Sequence, residues 1–181
     1  VTDIKKLAST IREAFFVART GRPGPVLVDI PKDIQNETTE FIYPTDPVSL
    51  PGYHPPTETN ESHLQEFADM VNAAKKPVIL AGHGVLLSGA CKEVMELAEK
   101  ASIPIATTLL GIGGVPDSHP LVLGMMGMHG ESWVNHAIQD ADLLIACGMR
   151  FDDRVTGTLK TYSPNSKKIH IEIDASEINK N

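Results

Sequence analysis

Leu143-Leu144-Ile145-Ala146-Cys147-Gly148-Met149-Arg150-Phe151-Asp152-Asp153-Arg154-Val155-Thr156-Gly157 is the stretch that decides the fold. Its first five residues are continuously apolar and too few for a helix. They predict a strand buried on both faces, as in a parallel sheet between two helical layers. Gly148 ends the run, so the charged segment after it starts at a strand's carboxyl end, where open α/β sheets bind their ligands. Arg150 and Arg154 stand four apart and can reach one diphosphate through forked, charge-assisted hydrogen bonds. Asp152 and Asp153 can orient those guanidinium groups or accept from ribose and ring donors. An exposed ion-pair network among the same four residues, of little energetic weight, explains the pattern equally well.

Working outward, the same alternation recurs. Leu64, Phe67, Ala68, Val71 and Ala74 make one helical face ahead of a strand at 77–81. Val94, Leu97, Ala98 and Ala101 mark a helix ahead of a strand at 103–107, Trp133, Ala137 and Ile138 a helix ahead of 143–147, and 169–173 a final strand. The expected fold is α/β: a doubly wound, Rossmann-like parallel sheet with helices on both faces.

The loops after the strands carry the candidate chemistry. Gly82-His83-Gly84 is either a plain strand-to-helix turn or a place where backbone N–H groups face an anion; Leu87 stands where the full dinucleotide fingerprint would have glycine. Residues 107–114, with Thr108 and Leu109, can admit a flat ring and bond a phosphate or ribose, or can be a surface loop. Gly127-Met128-His129-Gly130 joins close backbone approach to a thioether and an imidazole. With no second histidine or cysteine at ligand spacing, no metal is expected there, and His136 is assigned to packing. Glu172, placed at the end of the last strand, either accepts from ribose hydroxyls or is a solvated strand end.

The N-terminal part reads differently. Ile4, Leu7, Ile11, Ala14 and Phe15 predict a helix over 3–19, Gly21 to Pro25 break it, and Val26-Leu27-Val28-Asp29-Ile30 predicts a strand stopped by Pro31. Residues 36–60 hold Pro44, Pro47, Pro51, Pro55 and Pro56 with little periodicity and read as an extended linker. The expected organisation is thus the end of a preceding domain at 1–35, the linker, and a second domain from 61 to 181. Val1 is not an initiator, which suggests a start inside a longer polypeptide. The net charge of −7, with residues 1–34 at +2 and the remainder at −9, argues against nucleic acid as a partner. No run of 18 apolar residues predicts a membrane span. Cys91 and Cys147 lack CxxC spacing and read as buried thiols in a reducing compartment, which with the missing signal pattern points to the cytoplasm.

Several phrases, taken in order, resemble the large catalytic subunit of the acetolactate (acetohydroxyacid) synthase family. They are Thr20-Gly21-Arg22-Pro23-Gly24-Pro25 with Val26 to Asp33, Gly82-His83-Gly84, Thr108-Leu109-Leu110-Gly111, Gly127-Met128-His129-Gly130, Arg150 to Gly157, and Ile169 to Asp174. The first phrase recurs across many thiamine-diphosphate enzymes; Arg150 to Gly157 is far more specific to the FAD-containing synthases. The resemblance implies subunits of three α/β domains. The chain would carry the tail of the first, pyrimidine-binding domain and a middle FAD-binding domain truncated at its C-terminal end. Thiamine diphosphate and Mg²⁺ would be held by the other domains. The whole enzyme would decarboxylate pyruvate and join the two-carbon unit to pyruvate or 2-oxobutyrate in branched-chain amino-acid synthesis, FAD taking no net redox part.

The same resemblance assigns FAD contacts to Arg22, Gly82, His83, Gly84, Thr108, Leu109, Met126, Gly127, Met128, His129, Gly148, Met149, Arg150, Phe151, Asp152, Arg154, Val155, Glu172 and Ile173. It assigns the substrate channel to Lys32, Met128, Asp153 and Arg154, and no catalytic or metal-binding residue to this chain, whose fragment alone would be inactive. His83 departs from the three consecutive glycines of many relatives, and a Gly-Asp segment that completes the family's pocket lies past Asn181. A homodimer or homotetramer, with or without a small regulatory subunit, and without nucleic acid or membrane, is the implied assembly; a plastid location would need an upstream targeting peptide. Two further readings are the middle domain of a relative such as glyoxylate carboligase or pyruvate oxidase, and a free-standing nucleotide-binding sensor module.

Overall fold

A computed structural model of the chain describes residues 1–180. It divides into two compact units, Val1–Glu58 and Thr59–Asn181.

The second unit is built on β1 (Pro77–Ala81), β2 (Ile105–Thr107), β3 (Val122–Met125), β4 (Leu143–Cys147) and β5 (Lys167–Ile171). They form one sheet in the order β3-β2-β1-β4-β5 with every pairing parallel. The chain winds outward from β1 to β3, then returns to lay β4 on the other side of β1, so the order reverses between β1 and β4. Side chains of alternate strand residues feed two cores. Val78, Leu80, Ala106, Leu144 and Ala146 pack on Val134 and Ile138 of α6 (Ser132–Asp140). Ile79, Ala81, Ile105, Leu143, Ile145 and Cys147 pack on the opposite layer. That layer comprises α3 (Glu61–Ala73), α4 (His83–Ser88) and α5 (Cys91–Ala101). Burial on both faces is why β1 and β4 read as unbroken apolar runs, and the expected doubly wound α/β class is the one formed. A short α7 (Asp153–Thr156) follows β4. At the other end of the sheet, the Asp142 carboxylate accepts the N–H groups of Lys75 and Lys76 at 2.7 and 2.9 Å, tying β4's entry to β1's.

The first unit holds α1 (Leu7–Arg19), entered through a 3-10 turn at Ile4–Lys6, and α2 (Lys32–Asn36). Its proline-rich stretch is tied to α1. The Arg12 guanidinium donates to the carbonyls of Asp46 and Thr45, and the Tyr53 hydroxyl, 3.0 Å from that of Thr20, donates to the Thr20 carbonyl at 2.9 Å. Residues 37–58, read from sequence as most of a linker, therefore group with the first unit.

Several elements differ from expectation, three strands most clearly. The strand predicted over 26–30 does not form: among the described residues no segment pairs with it, and a strand exists only by pairing. β3 was not anticipated, because it is a four-residue edge strand interrupted by Gly124. β5 starts and ends two residues earlier than expected, its leading Lys167 and Lys168 being the charges that suit a sheet edge. Among the described residues no helix is long and apolar enough to cross a membrane.

Candidate site at the carboxyl edge of the sheet

The residue that leaves each of β1 to β4 continues the ladder by one rung. Met126 N–H donates to Thr107 O, Thr108 N–H to Ala81 O, Gly82 N–H to Cys147 O and Gly148 N–H to Ile171 O, all at 2.9–3.0 Å. The carboxyl edge is thereby a stiff floor. At the reversal between β1 and β4 two backbones touch. A Cβ on Gly82 would lie 2.3 Å from Gly148 O, one on Gly84 2.6 Å from Gly148 Cα, and one on Gly148, whose φ is +58°, 2.5 Å from Gly84 Cα. Gly84 N–H donates to Gly148 O at 2.9 Å. These two glycine amides are engaged by the sheet, so the reading in which Gly82 and Gly84 face an anion with their N–H groups is corrected. The glycines serve close approach, and their own amides do not face an anion.

His83 opens α4 with its ring exposed, and its Nδ1 lies 2.9 Å from Leu110 O. Because a carbonyl only accepts, Nδ1 carries the proton and Nε2 is the acceptor in the neutral ring. Thr108 caps the turn Leu109–Gly111, its hydroxyl oxygen accepting from Gly111 N–H at 3.1 Å. Leu109 projects into solvent at 69% exposure. Gly111, not singled out from sequence, packs so closely that a Cβ would fall 2.3 Å from Ala81 O.

On the third loop, Met126 is buried in the α6-side core, whereas Met128 and His129 are exposed. Gly127 has φ +97°, and a Cβ there would meet Arg154 O at 2.8 Å. Met128 N–H donates to that same carbonyl at 2.8 Å. The structure thus brings the Gly127–Met128 segment onto α7, as a shared face would need. Asn135 of α6 grips Gly127 with its amide, accepting from Gly127 N–H and donating to Gly127 O, both at 2.9 Å. Nothing in the sequence marks Asn135, since the contact is tertiary and the residue sits within an ordinary helical face.

After β4, Met149 is buried and its side chain joins the α6-side core. Arg150 is exposed, its Nε 3.5 Å from Asp152 Oδ2. The Asp152 carboxylate also accepts from Arg154 N–H at 3.1 Å as the N-cap of α7, a stabilising place for negative charge. Asp153 and Arg154 have exposed side chains and Val155 packs against the core. Phe151 adopts φ +51°, a strained backbone for a side chain of that size, held between Tyr162 and His170 at ring-centroid distances of 6.3 and 5.2 Å. The His170 ring donates from Nε2 to Met149 O at 2.7 Å. Tyr162 is 7% exposed, and among the described residues its hydroxyl has no hydrogen-bond partner; burial raises its pKa well above the ordinary value. Burial likewise pushes the Cys147 thiol up to about 11, so it stays protonated and inert.

Glu172 lies one residue past β5 rather than within a strand, and its Oε1 accepts from the N–H groups of Ile173 and Asp174 at 3.0 and 3.3 Å. One carboxylate oxygen is therefore committed to a local turn; Ile173 is exposed. Arg22 and Lys32 belong to the first unit, both with exposed side chains, Lys32 at the first position of α2.

The thiamine pyrophosphate enzyme central-domain model matches residues 64–181. The chain is similar to the acetolactate synthase large subunit of Corynebacterium glutamicum, at 46% identity over 99% of this chain and 29% of that protein. It is similar to acetolactate synthase 2, chloroplastic, of Nicotiana tabacum, at 44% identity over 100% of this chain and 27% of that one. A solved structure from Mycobacterium smegmatis, described as a thiamin diphosphate-dependent enzyme, superposes with TM-score 0.74 and 25% identity over 98% of this chain and 33% of its own. The chain spans less than a third of the length of the two curated relatives.

Proposed function

The chain belongs to the thiamine pyrophosphate enzyme family as its central domain, and from that premise we propose that it is the FAD-binding middle domain of an acetolactate synthase large subunit. The observation that supports this best is the charged segment from Arg150 to Val155. It sets two guanidinium-bearing residues directly after β4, beside the point where the strand order reverses.

The residues present fit an extended dinucleotide. With the Gly82 and Gly84 amides engaged, a diphosphate would be met by Arg150, whose guanidinium is half exposed and pairs only loosely with Asp152. Exposed Leu109 and Met128 offer apolar and polarizable surface to a flat ring. Glu172 keeps its second carboxylate oxygen for hydroxyl donors. Asp153 and Arg154, exposed on α7, would line the approach of the 2-oxo acids. Thiamine diphosphate with Mg²⁺, held by other domains of the full-length protein, would supply the thiazolium chemistry that releases CO2 from pyruvate and passes the remaining two-carbon unit to the second 2-oxo acid. This chain's residues would bind and orient the dinucleotide. On the same reading the full-length protein works as a dimer or larger oligomer.

The test uses the full-length protein. Arg150→Ala should lose flavin on gel filtration, with affinity down about ten- to a hundredfold, as expected for one charge-assisted hydrogen bond of roughly 1.5–3 kcal/mol. Arg154→Ala should also slow acetolactate formation with FAD in excess. Wild-type flavin content in the first variant together with wild-type turnover in the second would assign both arginines to a surface ion-pair network.

A further inference from the structure

We infer that Asn135 is a positioning residue for the face of the site formed by Met128 and Arg154, an inference that rests on the functional reading above. Its amide accepts from Gly127 N–H and donates to Gly127 O, both at 2.9 Å, and only one orientation of the amide satisfies both bonds. Gly127 at φ +97° is in a conformation that glycine adopts readily but holds weakly, being the residue with the most freedom to lose. The two-point grip removes that freedom. The missing Cβ then lets the loop close on α7, where Arg154 O accepts from Met128 N–H at 2.8 Å.

A chain of contacts results. α6 holds Gly127 through Asn135, Gly127 delivers the Met128 amide, and that amide fixes the Arg154 carbonyl. Arg154 N–H is meanwhile bonded to Asp152, which also pairs with Arg150. The backbone positions from which Met128 and Arg154 project are thus set by a residue with no need to touch a ligand. Asparagine is a mediocre helix former at an interior position, and here its side chain is turned to a tertiary partner instead of solvent.

The experiment compares Asn135→Ala and Asn135→Asp with wild type in the full-length enzyme. Asn135→Ala should raise the KM for the 2-oxo acid and the dissociation constant for FAD by about tenfold each, the scale of one or two lost hydrogen bonds, with kcat at saturation within about threefold. Asn135→Asp keeps the volume and the acceptor for Gly127 N–H but sets a carboxylate against Gly127 O. It should match or exceed the alanine effect, and it covers the case in which the smaller side chain folds poorly. Amide hydrogen exchange should quicken at Gly127 and Met128 in both variants while β1 and β4 stay protected. A variant that loses thermal stability yet keeps wild-type KM and flavin affinity overturns the inference, as does unchanged exchange at Gly127 and Met128. If wild type itself binds no flavin and forms no acetolactate, the functional reading fails, and the exchange rates alone decide whether Asn135 holds the loop.

Discussion

Val26-Leu27-Val28-Asp29-Ile30 and Leu143-Leu144-Ile145-Ala146-Cys147 are both five-residue, β-prone segments, apolar but for Asp29 in the first, and their fates are opposite. The second is β4, an inner strand flanked by β1 and β5, with every residue at 7% exposure or less. The first forms no strand, and Leu27 and Val26 stand 87% and 41% exposed. The units that contain them differ in the same way. Among the described residues of Val1–Glu58, Ile34 is the buried hydrophobic, and α1 buries none despite its amphipathic spacing. In the second unit, alternate faces of four strands meet two helical layers. Apolarity alone makes a segment available for pairing; neighbours on both edges and both faces make it a strand.

Glycine substitution is the harshest way to separate the two regions. Gly148→Ala forces a Cβ to 2.5 Å from the Gly84 backbone at φ +58°, where neither chain can yield without breaking the ladder. The expected loss is about 3–6 kcal/mol, combining overpacking with an unfavourable left-handed residue. Gly24→Ala meets nothing within 4 Å and should stay within about 0.5 kcal/mol of wild type. Urea unfolding followed by circular dichroism would measure both. Equal effects would mean that the glycine contact between β1 and β4 has room for a methyl group.

Truncating an apolar side chain asks the same question more gently. Ile145 has no exposed surface and packs in the layer under α3 to α5, so Ile145→Ala should cost roughly 2–5 kcal/mol through lost burial and the cavity left behind. Leu27→Ala, at a site already in solvent, should change stability by less than about 0.5 kcal/mol. A large loss at Leu27 would show that residues 26–30 are buried in solution and would erase their contrast with β4.

The sheet was legible because β1, β2 and β4 announce themselves by unbroken apolarity, and α3, α5 and α6 by spacing. β3 was not, since Gly124 and its edge position erase the pattern, and α4 was hidden behind the glycine turn that begins it. At the site, Arg150 to Val155 could be found because they directly follow a strand that could itself be read. The role of Gly82 and Gly84 could not, because two meanings of glycine, N–H presentation and close approach, look alike until the bond partners Cys147 and Gly148 are known. Asn135 was beyond reach for a related reason. Its partner is eight residues away across a turn, and neither residue's type signals the other.

Two aspartates give the finest version of the contrast. Asp142 clasps the N–H groups of Lys75 and Lys76 across 66–67 residues of chain, whereas Asp3 accepts from Lys5 N–H two residues away, capping the turn that opens α1. The Lys75 amide is the chief reason that the Asp142 pKa lies below its ordinary value, the Lys76 amide adding to it against the cost of burial. A carboxyl whose folded pKa is depressed adds stability above its unfolded pKa and loses it as pH falls through the folded one. Asp142→Ala should therefore cost about 1–2 kcal/mol at neutral pH, the worth of two exposed hydrogen bonds to a charged acceptor, and the deficit against wild type should shrink below about pH 4, near the unfolded carboxyl value. Asp3→Ala should cost about 0.5–1 kcal/mol as the loss of a helix cap. Paired unfolding curves at pH 7 and pH 3 measure the first effect. If the Asp142→Ala deficit were as large at pH 3 as at pH 7, the clasp would owe nothing to the ionised carboxylate, and the side chain's contribution would be packing alone.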